Sequence, residues 1–341
     1  MPIPELLDRL LRAPAPTGRE EAAAEIVREV ARSLGAAVDA DVMGSTVATI
    51  GEGRPLVALV AHVDQVGMLV SHVGDDGLLL VNRLAAWNPA WAVGQRVTVI
   101  ARDARVPGVV GRSTSAAEKP AWNELYVDIG AADSEEARAL VREGDPIVLD
   151  AAPIELLNGR VASGALDNRA GVWAGLEALR RLADQPPSAV ALVASTQEEI
   201  GIQAGARAAI RRLRPDVAVV IDVTYATDVP EGDSRESGHH RLGGGPAIFR
   251  GPVVHPALFD ALVDAAVAEG LSYTVESGER SMTDADAVYV EGEGVATAVV
   301  SIPLRRAHTA VETLQLSDLE DTAALLAAFV RRLEPGLDLA R

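Results

Sequence analysis

Four strand-length runs of nearly unbroken apolar residues recur along this chain: Leu56–Ala61, Ala189–Thr196, Val217–Ile221 and Ala296–Ile302. A strand that is apolar at every position has no face to turn to water, so its sheet must be covered on both sides. The segments around these runs read as helices: residues 4–12, the stretch EEAAAEIVREVARSLG ending at Gly35, Asp167–Ala183, Ala204–Leu213, Pro256–Glu269 and Ser317–Leu333. Thr17-Gly18-Arg19-Glu20 fits a capping box at the start of the second of these. Ala37–Asp41 and Thr46–Ile50 read as further strands, and the third apolar run lies within a strand over Asp216–Val223. Strands alternating with helices predict an α/β fold, a mixed sheet between two helical layers.

Between about Gly67 and Arg160 the texture changes to short Val, Leu and Ile runs broken by Gly, Pro and Asp, as in HVGDDGLLLV, GQRVTVIA, RVPGVVGR and GDPIVLD. Turn signals at that spacing predict a small all-β barrel or sandwich, with one helix at Ser134–Glu143. The expected organisation is a discontinuous α/β domain, residues 1–67 plus 160–341, split by a β insertion at 68–159. Pro230–Gly245 reads as a mobile loop.

Composition removes several function classes. The chain has 341 residues and a formal charge of −18, with no basic stripe, which argues against nucleic-acid and anionic-membrane partners. Aromatics are 3%, too few for base-stacking surfaces. Cysteine is absent, so disulfides, thiolate metal sites and cysteine nucleophiles are excluded, and any metal must be held by His, Asp and Glu. The N-terminus lacks the apolar core and cleavage pattern of a signal peptide, and no apolar run reaches membrane-spanning length; the expected location is cytoplasmic.

The strand ends carry the chemistry. His62 and Asp64 follow an apolar strand at a spacing of two, which turns both side chains to one side. Glu198 and Glu199 end a second apolar run, Asp222 a third, and His308 lies just beyond a fourth; Asp167 sits where a loop enters a helix. Each has an ordinary explanation: Asp167 as a helix cap, the paired glutamates as a solvated loop, the others as strands leaving the core. Taken together, two His and three carboxylates are the ligand types of a divalent pair, with Glu198 spare beside a ligand; that set points to metal-assisted hydrolysis.

AHVDQVGMLV, GALDNRAG, TQEEIGIQAGA, IDVTYATDVP, LGGGPAI, SMTDADAV and VSIPLRRAHTAVE resemble, in order and spacing, the M42 family of metallo-aminopeptidases, the glutamyl and tetrahedral aminopeptidases. The resemblance runs from about Leu6 to Leu333. It implies a metallopeptidase domain with two divalent ions per subunit (zinc or cobalt, with manganese a third option). Asp167 would bridge the ions, with His62, Asp222, Glu199 and His308 completing their ligands. Asp64 would orient His62, and Glu198 would act as general base. It further implies peptide substrates, a dimerisation role for the insertion, and dimers assembled into a homo-dodecamer. Gln65 departs from the glutamate usual after the HxD aspartate, and the ESGHHRLGGG loop with His239 and His240 is also atypical.

Competing readings are a metal-dependent deacylase of related fold and a metal-binding scaffold without activity. An endoglucanase label, also attached to family members, fits poorly, because cellulases ordinarily use two carboxylates and no metal. His72 and His255 lie outside the ligand pattern, and the four tryptophans (Trp87, Trp91, Trp122, Trp173) read as packing or interface residues, Trp87 and Trp91 as exposed. Gly243-Gly244-Gly245 lacks the following Lys-Ser/Thr and helix of a phosphate loop.

Overall fold

A computed structural model describes residues 2–114, 119–232, 234–235, 238–333, 336 and 339. The four apolar runs lie side by side in an eight-stranded mixed sheet. Its order is Ala37–Ala40, Thr46–Ile50, Val190–Ser195, Val57–His62, Val217–Tyr225, Ala296–Leu304, Ala247–Arg250, Thr274–Ser277. The four central strands are mutually parallel, so their C-terminal ends share one edge. Every residue of Val57–His62 and Val190–Ser195 is buried, as a sheet covered on both faces requires.

The Leu166–Leu182 helix lies against the Val57–His62 and Val217–Tyr225 strands, with Leu316–Arg332 beside it. Ala204–Leu213 packs on Val190–Ser195 and Val57–His62, with Ala285–Val288 alongside. The first of these helices approaches the sheet closely because Gly171 permits it. A Cβ there would lie 2.3 Å from Asn168 Oδ1 and 3.0 Å from the Ile221 carbonyl oxygen, one residue from Asp222.

Six strands between Gly67 and Leu149 close into a barrel with its own core of Met68, Val81, Val97, Val99, Val127 and Ile147. Its helix is shorter than expected, Ser134–Leu140, and starts from an Asp133 side chain that accepts from Glu136 N–H. Trp87 is buried, not exposed: its indole N–H donates to Gly67 O at 2.7 Å and its ring meets Trp122 edge-on at 4.9 Å. Trp91 is 43% exposed.

Ile154–Leu156 leaves the barrel and pairs with Arg160–Ser163, which pairs in turn with Glu312–Gln315. This three-stranded sheet brings segments from distant parts of the chain against the site. Of the 230–245 loop, residues 233, 236 and 237 lie outside the described residues. Its glycines follow another logic than phosphate binding, for Gly243 and Gly245 N–H both donate to the Asp318 carboxylate. Among the described residues, no helix is long and apolar enough to cross a membrane.

Candidate metal centre

His62, Asp167, Glu199, Asp222 and His308 converge at the C-terminal edge of the central strands, with Glu198 at the margin. Asp167 is the hub. Its Oδ1 lies 3.2 Å from His62 Nε2 and its Oδ2 lies 3.3 Å from His308 Nε2. His308 Nε2 is also 3.3 Å from Glu199 Oε2, and His62 Nε2 is 3.8 Å from Asp222 Oδ1. The side chains therefore divide into two groups that share Asp167, one with His62 and Asp222 and the other with Glu199 and His308. Ligand atoms of His62, Asp167 and Glu199 all lie within 4.8 Å of one another.

These contacts suit a shared cation better than a hydrogen-bond network. Asp167 Oδ1 is buried and has no hydrogen-bond partner, although His62 Nε2 is 3.2 Å away. Two atoms each about 2.0–2.1 Å from a tetrahedral zinc would themselves sit about 3.3–3.4 Å apart. An orphaned buried carboxylate oxygen and His–carboxylate donors at that spacing fit a divalent ion.

The imidazoles are turned for this by their other nitrogens. His62 Nδ1 faces two acceptors, the Asp64 carbonyl at 3.3 Å and Asp64 Oδ1 at 3.4 Å, so the proton belongs on Nδ1 and Nε2 is left to face Asp167. His308 Nδ1 donates to the Ala86 carbonyl at 3.0 Å, a contact that comes from the barrel. His308 itself has a left-handed backbone, φ 58°.

Asp64, fully buried, organises more than His62. Its carboxylate accepts the Thr17 hydroxyl at 2.8 Å and the backbone N–H groups of Glu198 and Glu199, each at 3.1 Å. Thr17 is thus a partner of Asp64 and not a helix cap. The helix there spans Glu21–Ser33, and Glu20 turns back to accept Gly18 N–H. Asp167 does not cap its helix either. Ala165 occupies the cap position, and Asp167 is non-helical (φ −76°, ψ 105°), its N–H donating to Glu312 Oε2 at 3.0 Å.

Glu198 and Glu199 are buried, not a solvated loop, in a short turn, Glu198–Ile202, entered through the left-handed Gln197 (φ 60°). Burial pushes Glu198 up to about 8, with His62 opposing and Asp284, Asp167 and Asp64 adding to the rise. Glu199 and Asp222 are also held well above the usual carboxylate range, by burial first. Burial alone would raise Asp167 too, but His308 and His62 beside it hold it well below. Burial disfavours the His308 cation, yet Asp167 and Glu199 raise it to about 10. Asp167 and Asp64 apart, the titratable groups of the centre draw in protons, the behaviour of a carboxylate-rich pocket lacking positive charge; a bound cation would supply that charge instead.

Several supporting residues carry no strand-end signature. Glu312 accepts the N–H of both Asp167 and His308. Asp284, in SMTDADAV, accepts the Ser195 hydroxyl at 2.5 Å and adds negative charge near Glu198. Arg169 is fully buried and donates to the carbonyls of Val63, Leu10 and Ala13 and to Gln65 Oε1, tying the N-terminal segment to the site. Gln65, where glutamate was expected, thus acts as an acceptor for Arg169 and for Ala15 N–H. His72 lies in the barrel near Glu143, His240 bonds Thr274, and neither His255 nor His239 belongs to the cluster.

A mixed α/β sheet with a buried His/Asp/Glu cluster at its strand ends has the make-up of a hydrolase that uses a metal, and the comparisons narrow the class to aminopeptidases. Residues 44–325 match the M42 glutamyl aminopeptidase family, and the chain belongs to that family. It is 31% identical to the lysyl aminopeptidase of Pyrococcus furiosus, over 97% of each chain. The solved aminopeptidase of the archaeon Desulfurococcus kamchatkensis superposes with a TM-score of 0.91 at 34% identity, covering 96% of this chain and 94% of that one. The Pyrococcus horikoshii TET1 peptidase, which can assemble into a tetrahedron or a large octahedral shell, superposes with a TM-score of 0.86 at 28% identity, covering 96% and 99%.

Proposed function

We propose that this aminopeptidase is binuclear and removes N-terminal residues from short peptides. The observation that carries the reading is Asp167, which offers one carboxylate oxygen to the His62 group and the other to the His308 group. One ion would be held by His62, Asp222 and Asp167, the other by Glu199, His308 and Asp167; zinc and cobalt suit these donors, manganese less well. Bound there, the ions would lower the pKa of a shared water and polarise the scissile carbonyl.

Glu198 takes a proton from the water that attacks the carbonyl carbon. When the C–N bond breaks, Glu198 returns that proton to the leaving amine, giving a free amino acid and a shortened peptide. Asp64 keeps the base in place by holding the backbone at Glu198 and Glu199. The many carboxylates favour a free ammonium at the substrate's N-terminus, which confines cleavage to chain ends.

A panel of aminoacyl-nitroanilides and their N-acetylated counterparts tests this. Turnover of the free forms is expected to exceed that of the blocked forms by at least a hundredfold. The reverse preference would establish a deacylase instead. The identity of the preferred residue also follows from the panel; the similarity to a lysyl aminopeptidase makes lysine the first to assay.

In the same reading residues 68–159 serve as a dimerisation domain on the 1–67 plus 160–341 catalytic domain, and dimers close into a hollow dodecamer. The tetrahedral shell of the P. horikoshii relative supports this. So do Trp91, Val109 and Leu80, exposed apolar side chains of the inserted segment that a second subunit would cover. Light scattering at several protein concentrations should give a multiple of the 35.6 kDa subunit. A fully active monomer would overturn the assembly; a dimer would overturn the dodecamer alone.

A further inference from the structure

We infer that Glu312 is a positioning residue that sets Asp167 and His308 in register for a shared ion, an inference that rests on the binuclear reading. Glu312 is 2% exposed, and its carboxylate accepts at both oxygens, from Asp167 N–H at Oε2 and from His308 N–H at Oε1, each at 3.0 Å. The two residues it holds are the pair whose side chains meet at 3.3 Å, His308 Nε2 against Asp167 Oδ2.

Neither residue is held by regular secondary structure. Asp167 has non-helical angles at the opening of its helix, and His308 is left-handed at φ 58° in the turn after Ala296–Leu304. Both N–H groups would otherwise be unpartnered at those points, and the backbone at each would be free to rotate the side chain away from the centre. Glu312 itself is well fixed. It opens the Glu312–Gln315 strand, and its residue pairs with Ser163 on the strand that leads to Asp167. The strand pairing sets where the carboxylate stands, and the carboxylate sets where the two ligand-bearing backbones stand. The Ala86 carbonyl then fixes the His308 ring about its remaining freedom.

Glu312→Gln is nearly isosteric and tests this. An amide accepts at one oxygen only, and its NH2 would face an N–H, so one of the two ligand backbones loses its anchor. Outer partners of metal ligands typically contribute about 10–100-fold in affinity. The apo forms of wild type and variant are titrated with zinc alone against a chromogenic chelator. Wild type is expected to bind two ions. In Glu312→Gln the ion bound by Glu199 and His308 should weaken about 10–100-fold, with kcat recovering at saturating zinc and KM little changed. Glu312→Asp, which keeps both acceptor oxygens on a shorter stem, should fall between the two and covers the case in which Glu312→Gln does not fold. Wild-type zinc affinities in a folded Glu312→Gln, or in Glu312→Asp where Glu312→Gln does not fold, would overturn the inference. A wild type that binds fewer than two ions would instead overturn the binuclear reading.

Discussion

Glu198→Gln should lower kcat by roughly 10²–10⁴-fold, the usual contribution of a positioned general base, while the protein keeps its full complement of metal. The substitution preserves shape and leaves the backbone N–H that donates to Asp64. It removes only the ability to take and return a proton. The Glu198 carboxylate stands 3.9 Å from His62 Nε2, about as far as Asp222 at 3.8 Å, so metal analysis of the variant is what separates base from ligand; as the assigned base, Glu198 is expected to leave the metal in place. KM should change little, because the side chain is assigned to proton transfer and not to holding the substrate. The measurement is steady-state kinetics on an aminoacyl-nitroanilide together with elemental analysis of the same sample. A near-normal kcat would remove Glu198 as the base; lost metal would make it a ligand.

The strand-end residues of this site were legible because an apolar strand that stops on an acid or a histidine is a local pattern. His62, Glu198, Glu199 and Asp222 all have it, and the structure gathers them with Asp167 and His308 at one edge of the sheet. The central strands were legible for the same reason, since burial on both faces leaves only apolar residues. The barrel was visible in its turn spacing.

What escaped has a different physical basis. Glu312 reaches Asp167 across 145 positions of sequence, through a backbone N–H, and such a contact leaves no periodicity. Thr17 looked like a helix cap because threonine before a helical run commonly is one; tertiary structure gave its hydroxyl to Asp64 instead. Trp87 looked exposed because its neighbours are Ala, Asn and Pro, whereas its burial depends on a Gly67 carbonyl and the Trp122 ring. The three-stranded sheet was missed because its partners come from residues 154–163 and 312–315, each too short to stand out alone.

Asp167→Ala carries the second large effect. The two oxygens of Asp167 face different ligand groups, so its removal should weaken both ions together, whereas loss of His62 or His308 should weaken mainly one. The variant also leaves His62, His308, Glu199 and Asp222 without the carboxylate between them, so the remaining donors lose their common point. Activity should fall to background at any metal concentration that saturates wild type, and bound metal should fall to well under one ion per chain.

The most direct test of the binuclear account is to strip wild type and Asp167→Ala with a chelator and add back zinc or cobalt stepwise, following bound ions and aminoacyl-nitroanilide hydrolysis together. Stripped wild type should be inactive and regain full activity at two ions per chain, while Asp167→Ala should recover neither ions nor rate. Full activity in the stripped wild type, or two tightly held ions in Asp167→Ala, would contradict it.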